Sequence, residues 1–204
     1  MAERVPRLVA FTDASRAAVP TLLERFESLA QRAAPDRVLF VVRDYLLPVR
    51  ERWKLAEQLA KVADENQQWL GVAERADVAL GLACRAFHLP QGGLSAADAR
   101  GYLGPNVWLS RGCHDPDSAV ETELDALLLS PIFAPRKGRA PLGVAALARA
   151  SAAHPEQAWF ALGGVGAGNA ASCLDVAAAG VAVIGAALEA DPEPLLAALG
   201  ILRG

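Results

Sequence analysis

Two glycine-bearing runs, a histidine and a few charges, each following a short apolar stretch, are the residues of this chain that could do chemistry. Ala158-Trp-Phe-Ala-Leu-Gly163-Gly164-Val165 breaks from an apolar run into a glycine pair, and Gly180-Val-Ala-Val-Ile-Gly185-Ala186 reaches glycine in the same way. A helical pattern, 169–179, lies between them. Two successive strand ends of this kind, each followed by a helix, can turn several backbone N–H groups toward one anion. Gly163, Gly164, Val165, Gly185 and Ala186 are therefore the expected phosphate cradle. A tight turn alone also requires glycine, but two such ends in neighbouring units favour the cradle.

Proton chemistry points to His114. Imidazole changes charge nearest to neutral pH, and this residue follows an apolar run and precedes the Asp115-Pro116 that opens the next segment. His88, flanked by Phe87 and Leu89, reads as structural. Cys113 beside His114 could be a nucleophile, but adjacent residues on an extended segment point opposite ways, so a small buried cysteine is the better reading. Arg43 and Lys137 are natural partners for phosphate or carboxylate. Ser130 and Glu74 also follow apolar runs and are expected, with Arg43 and Lys137, to contact substrate; Glu74 is a lone carboxylate where a magnesium site would need more oxygen ligands. The stretch Ala134-Pro-Arg-Lys-Gly-Arg-Ala-Pro is basic and bounded by proline, and reads as an anion-contacting loop.

The elements that must position these groups alternate regularly. Strand-length apolar runs lie at Leu8–Thr12, Arg37–Arg43, Gln68–Ala73, Ala86–Leu89, Asn106–Ser110, Ala126–Ile132, Ala158–Leu162 and Val181–Gly185. Helical patterns lie at Arg16–Arg32, Pro48–Glu65, Ala76–Leu82, Ser95–Leu103, Asp117–Leu124, Val144–Ala152, Asn169–Ala179 and Pro192–Leu199. Continuous apolar runs suit strands buried on both faces. This count predicts a single-domain (β/α)8 barrel over residues 1–204, with a doubly wound open sheet as the competitor. Ser95 is a candidate N-cap, and Gly104 and Gly180 are candidate helix stops. In a barrel, the residues singled out above all fall at the strand ends that carry function.

Composition narrows the function classes. The chain has 204 residues, 53% of them hydrophobic, and a formal net charge of −3. It carries no block of basic residues, so a nucleic-acid partner is not expected. Its three cysteines are far apart, without metal-ligand spacing, which suits a reducing, cytoplasmic setting. The start resembles neither a signal peptide nor a membrane span. A homo-oligomer is compatible with the sequence.

A resemblance then sharpens the reading. His88-Leu-Pro-Gln91, the Cys113-His114 turn, Ser130-Pro-Ile-Phe133, Pro141-Leu-Gly143, Ala161-Leu-Gly-Gly-Val165 with Asn169-Ala, and Gly180-Val-Ala-Val-Ile184 occur in that order. Together they resemble the superfamily of thiamine-phosphate synthase and thiazole tautomerase, most strongly over residues 75–188. The resemblance implies a (β/α)8 barrel that binds a phosphorylated thiazole or thiamine phosphate. The synthase branch joins a pyrimidine diphosphate to thiazole phosphate and uses magnesium. Several of its usual residues are changed here: of Gln-x-Arg-x-Lys the arginine is kept as Arg43 while Val41 and Tyr45 stand in place of the glutamine and lysine, Ala73 and Glu74 stand in place of Asn-Asp, and Gly93 in place of an aspartate. Gly112 replaces a serine, and Ala134-Pro135-Arg136-Lys137 replaces Thr-Pro-Thr-Lys. The tautomerase branch shifts a proton within a thiazole phosphate carboxylate and needs no metal, with a histidine at the place of His114 as its catalytic group. The expectation is accordingly a tautomerase-like enzyme without a cofactor. The alternatives are a synthase with an altered metal site, with magnesium implied only in that case, and a catalytically silent barrel that binds the phosphate.

Overall fold

The computed structural model describes residues 5–117, 121–136 and 138–204. Eight parallel strands close in sequential order: β1 (Leu8–Phe11), β2 (Val38–Val42), β3 (Trp69–Ala73), β4 (Ala86–Leu89), β5 (Trp108–Cys113), β6 (Ala126–Leu129), β7 (Ala158–Leu162) and β8 (Gly180–Val183). Closure comes from β1 pairing with β8, Leu8 opposite Val181 and Ala10 opposite Val183. The helices are α1 (Val19–Arg32), α2 (Val49–Glu65), α3 (Ala76–Gly81), α4 (Ala96–Leu103), α5 (Gly143–Ala153), α6 (Ala170–Leu174) and α7 (Glu193–Ala198). The sequential closed order excludes the open sheet. Among the described residues no helix is long and apolar enough to cross a membrane.

Strand alternation divides the core into two shells. Val9, Phe11, Leu39, Val41, Trp69, Ala73, Ala86, Ala126, Leu128, Phe160, Ala182 and Ile184 pack inside the barrel. Their odd-even partners, such as Leu8, Ala10, Phe40, Val72, Phe87, Leu127 and Val181, pack outward with the helices. Because the side-chain period along a strand is two, this division also decides which residues beyond each strand end face the mouth.

Local chemistry explains most element ends. The Ser95 hydroxyl caps α4 by accepting from the Asp98 N–H at 3.0 Å. Gly104, at φ +88°, stops that helix with its N–H on the Arg100 carbonyl. Two helix expectations are corrected. The pattern over Asp117–Leu124 includes residues 118–120, which lie outside the described ones, and the described remainder forms turns. Its acidic side chains are drawn elsewhere: Glu121 accepts from the Ala96 N–H and pairs with Arg111, while Asp125 accepts from the Leu109 N–H and pairs with Arg100. The pattern over 169–179 shortens to α6, and Ala177 turns to φ +66°. Gly180 does not end that helix; it is the first residue of β8.

Candidate active site at the barrel mouth

Counting by twos from the inward-facing core residues accounts for the cavity at the C-terminal end of the strands. Arg43 lies two residues beyond Val41, Ser130 two beyond Leu128, and His88 two beyond Ala86. All three line a cavity of about 160 Å³, together with Phe11, His114, Leu162 and Ile184. Glu74 leaves the end of β3 at φ +64°, and it is exposed and absent from the cavity wall. Arg43, Ser130 and His114 are thus brought together and Glu74 is not. Lys137 lies outside the described residues. Cys113 is buried on the outward shell, away from this wall, as adjacent-residue geometry requires.

His114 is held in one tautomer. Its Nδ1 lies 2.7 Å from the Ser130 carbonyl and 3.0 Å from the Ser130 hydroxyl. A carbonyl can only accept, so Nδ1 carries a proton. Ser130, expected to contact substrate, is buried and both of its oxygens hold His114.

His88 forms part of the floor. Its Nδ1 lies 2.9 Å from the Ser110 hydroxyl, and its ring meets Phe11 edge-on at 4.9 Å. Burial, followed by the charges of Arg43 and Arg111, pushes its imidazole down to about 3. The ring is therefore neutral at the cavity floor throughout the neutral range. Its sequence neighbours, both apolar, suggested only a structural role; the usable signal was its parity with Ala86. A consequence for stability follows. The unfolded histidine takes up a proton near pH 6.5 and the folded one does not until about pH 3. Stability from this group is complete above pH 6.5 and falls by about 1.4 kcal/mol per pH unit as the pH drops toward 3. Urea midpoints at pH 6.5 and 4.5 should converge more in His88→Asn than in the wild type; equal losses in both proteins would refute it.

Cations dominate the rim. Arg43 pairs with Asp13 at 3.3 Å, sits 5.9 Å over Phe11 and 5.6 Å over Tyr45, and keeps a buried Nε without a partner. Arg136 and Arg139 line the same cavity from the loop after β6. Each donates its backbone N–H to the other's carbonyl, at 3.1 and 3.0 Å, across Gly138 at φ +77°. Burial, then the charges of Arg43 and Arg16, lower the Arg136 guanidinium below its ordinary value. This basic loop was foreseen from its composition, but its two arginines were not singled out.

Beside the cavity runs a groove lined by Gly163, Gly164, Val165, Gly185 and Ala186, with Arg16, Arg136, Asn169 and Glu189. All five expected cradle residues meet there. Gly163 and Gly164 take φ +99° and +74°, a region open to glycine. Asn169 fixes the turn, its carbonyl oxygen accepting from the Gly166 N–H and its amide donating to the Gly164 carbonyl, both at 2.9 Å. Among the described residues, no carbonyl accepts the N–H of Gly164, Val165 or Gly185. A run of unsatisfied N–H groups next to a guanidinium is an arrangement suited to a phosphate. A 3₁₀ turn, Ala186–Leu188, follows β8 directly and was not anticipated from the sequence.

Comparison with known proteins agrees with this architecture. The sequence model of the family described as "Thiamine monophosphate synthase" matches residues 8–187. A thiamine-phosphate synthase of Thermobifida fusca (strain YX) is 32% identical over 168 residues, covering 79% of this chain and 77% of the relative. One from Mycolicibacterium smegmatis is 34% identical over 157 residues, covering 74% and 69%. Among solved structures, a thiamine phosphate pyrophosphorylase from Pyrococcus furiosus superposes with a TM-score of 0.80 at 23% identity, covering 95% of both chains. At that identity the superposition speaks for the fold alone.

Proposed function

Because this chain belongs to the thiamine monophosphate synthase family, we propose that it is a transferase that joins a pyrimidine diphosphate to a thiazole phosphate, giving thiamine phosphate. The relatives above are synthases, so joining takes precedence over the metal-free proton shift expected first from the sequence. The single observation that carries this reading is the pairing of two anion-suited surfaces. The glycine groove and the arginine-rimmed cavity adjoin, sharing Arg136, Leu162 and Ile184. A transferase of two phosphorylated substrates needs two such surfaces, side by side, so that binding brings the reacting atoms together.

In this reading the thiazole phosphate sits on the N–H groups of Gly164, Val165 and Gly185 with Arg16 nearby. The pyrimidine enters the cavity above neutral His88, between Phe11 and Leu162, with its diphosphate toward the arginines. The bond from the pyrimidine methylene carbon to the diphosphate oxygen breaks, and its electron pair leaves with the diphosphate. The thiazole nitrogen supplies the pair for the new carbon–nitrogen bond. No proton moves in that step, so His114 serves as a hydrogen-bonding wall group.

Magnesium is implied by the family, and the donors at this mouth do not suit it. Asp44 has both oxygens engaged, one by the Thr12 hydroxyl and one by the Ala14 N–H. Asp13 accepts from Ser15 and pairs with Arg16 and Arg43. Burial alone would raise the Asp13 carboxyl; the bonds from Ser15 and the charges of Arg43 and Arg16 together hold it below its ordinary value. Magnesium prefers oxygen ligands in near-octahedral array and typically takes one or two carboxylates. Among the described residues no three His, Cys, Asp or Glu side chains gather for a metal.

The test is turnover with both substrates, followed as thiamine phosphate by chromatography. His114→Asn should slow the joining reaction no more than about tenfold, the loss of one hydrogen-bonding group. If the protein makes no thiamine phosphate but aromatises a thiazole phosphate carboxylate, and His114→Asn slows that by about 10²–10⁴-fold, the tautomerase reading replaces this one. Binding of thiazole phosphate without either turnover would make the protein a silent barrel.

A further inference from the structure

We propose that Arg43, Arg136 and Arg139 hold the diphosphate leaving group directly, so that guanidinium groups supply here the positive charge for which the family uses magnesium. The inference rests on the transferase reading above and adds how this chain would meet the charge that the reaction creates.

Asp13 and Asp44 are engaged by protein donors, and Glu74 is exposed outside the cavity wall. The arginines are in the opposite condition. Arg16 and Arg43 share the single partner Asp13, at 3.2 and 3.3 Å. Among the described residues neither Arg136 nor Arg139 has a carboxylate within ion-pair distance, and the buried Arg43 Nε has no acceptor. A surplus of guanidinium donors thus surrounds a half-enclosed cavity.

The geometry fits a compact polyanion. Arg43 is fixed by its contacts with Phe11, Tyr45 and Asp13, on the β2 side of the mouth. Arg136 and Arg139 come from the β6 side, on a turn closed by their reciprocal backbone bonds. A guanidinium offers a planar fork that two phosphate oxygens can accept together. When the carbon–oxygen bond breaks, negative charge grows on the diphosphate oxygens. Donors already oriented toward that position stabilise it without reorganising, and low local dielectric strengthens them. The like charges of Arg43 and Arg16 act against that of Arg136, and a bound diphosphate relieves that repulsion.

Two substitutions in the chain have the same sense, while Tyr45 in place of a lysine has the opposite one. Where the family resemblance leads one to expect a carboxylate, this chain has Gly93, and a Cβ there would press on Pro90 at 2.9 Å. Where it leads one to expect threonine in the loop after β6, this chain has Arg136. An acidic position is lost at Gly93 and a basic one gained at Arg136.

Calorimetric titration of inorganic pyrophosphate into protein held in EDTA tests the inference. Saturable binding is expected without metal. Arg136→Met should weaken it about tenfold or more, and Arg136→Met with Arg139→Met about 100-fold. Arg149→Met, on the outer helix α5, should leave it unchanged. Binding that occurs only after magnesium is added overturns the inference, as does an unaltered affinity in the double variant or equal weakening by Arg149→Met. Turnover separates this idea from the transferase reading. Thiamine phosphate formation that proceeds in EDTA and falls in Arg136→Met supports both. Formation that requires magnesium overturns the arginine role and leaves the transferase standing. Metal-free pyrophosphate binding that depends on Arg136, in a protein that forms no thiamine phosphate, upholds the arginine site and removes the transferase reading.

Discussion

Gly185→Leu should leave the barrel folded and cost it about 100-fold in affinity for thiazole phosphate. Gly185 has φ −64°, so a side chain brings no backbone strain there. A Cβ would meet only the Arg16 Nη1, at 3.6 Å, within the groove that the phosphate is proposed to occupy. A leucine side chain would fill that space and separate the anion from Arg16 and from the Gly185 N–H. Charge-assisted hydrogen bonds of this kind contribute about 1.5–3 kcal/mol each; losing two is about 3 kcal/mol or more, roughly 100-fold. Titration with thiazole phosphate, beside a thermal melt that shifts by less than about 2 °C, would bear this out. Unchanged affinity would show that the phosphate binds elsewhere. The more obvious substitution, Gly164→Val, is a poorer probe. Its Cβ would lie 2.8 Å from the Ala134 N and 2.7 Å from the Ala134 Cβ, at φ +74°. That glycine is required first by the approach of the β6 loop, so its replacement would disturb the fold along with the ligand.

Gly180→Val should destabilise the protein by about 3–5 kcal/mol, the largest stability effect expected of one substitution here. A Cβ at Gly180 would lie 2.2 Å from the Arg7 carbonyl oxygen and 2.7 Å from the Phe160 ring. The Arg7 carbonyl cannot simply withdraw, because it accepts the Val181 N–H at 2.9 Å, beside the β1–β8 seam that closes the barrel. Overpacking costs about 1–3 kcal/mol, occasionally more, and a lost buried hydrogen bond adds about 1–3. Against a typical total of about 5–15 kcal/mol, most of the folding margin is at risk. A urea denaturation midpoint equal to that of the wild type would refute the expectation.

The barrel was legible in the order of residues because its cause is local and repeated. Each strand must be apolar on both faces, and each helix on one, so eight buried runs separated by amphipathic stretches appear directly in the text of the chain. The glycine pair after β7 was legible for a similar reason: only glycine enters φ +99° and +74° readily, so a demand on the backbone leaves a mark on composition. Ser95 and Gly104 were readable because a cap acts within a few residues.

The tertiary structure alone decided what depends on partners distant in sequence. Asp117–Leu124 has a helical pattern, but Glu121 and Asp125 are claimed by Arg111 and Arg100 from other units. Gly180 resembles a helix stop until Arg7 and Phe160 are seen against it. Arg43 and Glu74 look equally eligible as strand-end charges; Val41 faces inward, so a step of two carries Arg43 into the mouth, whereas Glu74 leaves β3 at φ +64° and stands exposed, outside the cavity wall. His88 lies between apolar neighbours in either view, and only barrel closure brings Arg43 and Arg111 near enough to act on it. The availability of a charge is likewise invisible in sequence. Asp13 and Asp44 could be metal ligands by type, yet Thr12, Ala14, Ser15, Arg16 and Arg43 already engage them. Residue type sets what a group can do, while the neighbours brought by folding decide whether it is free to do it.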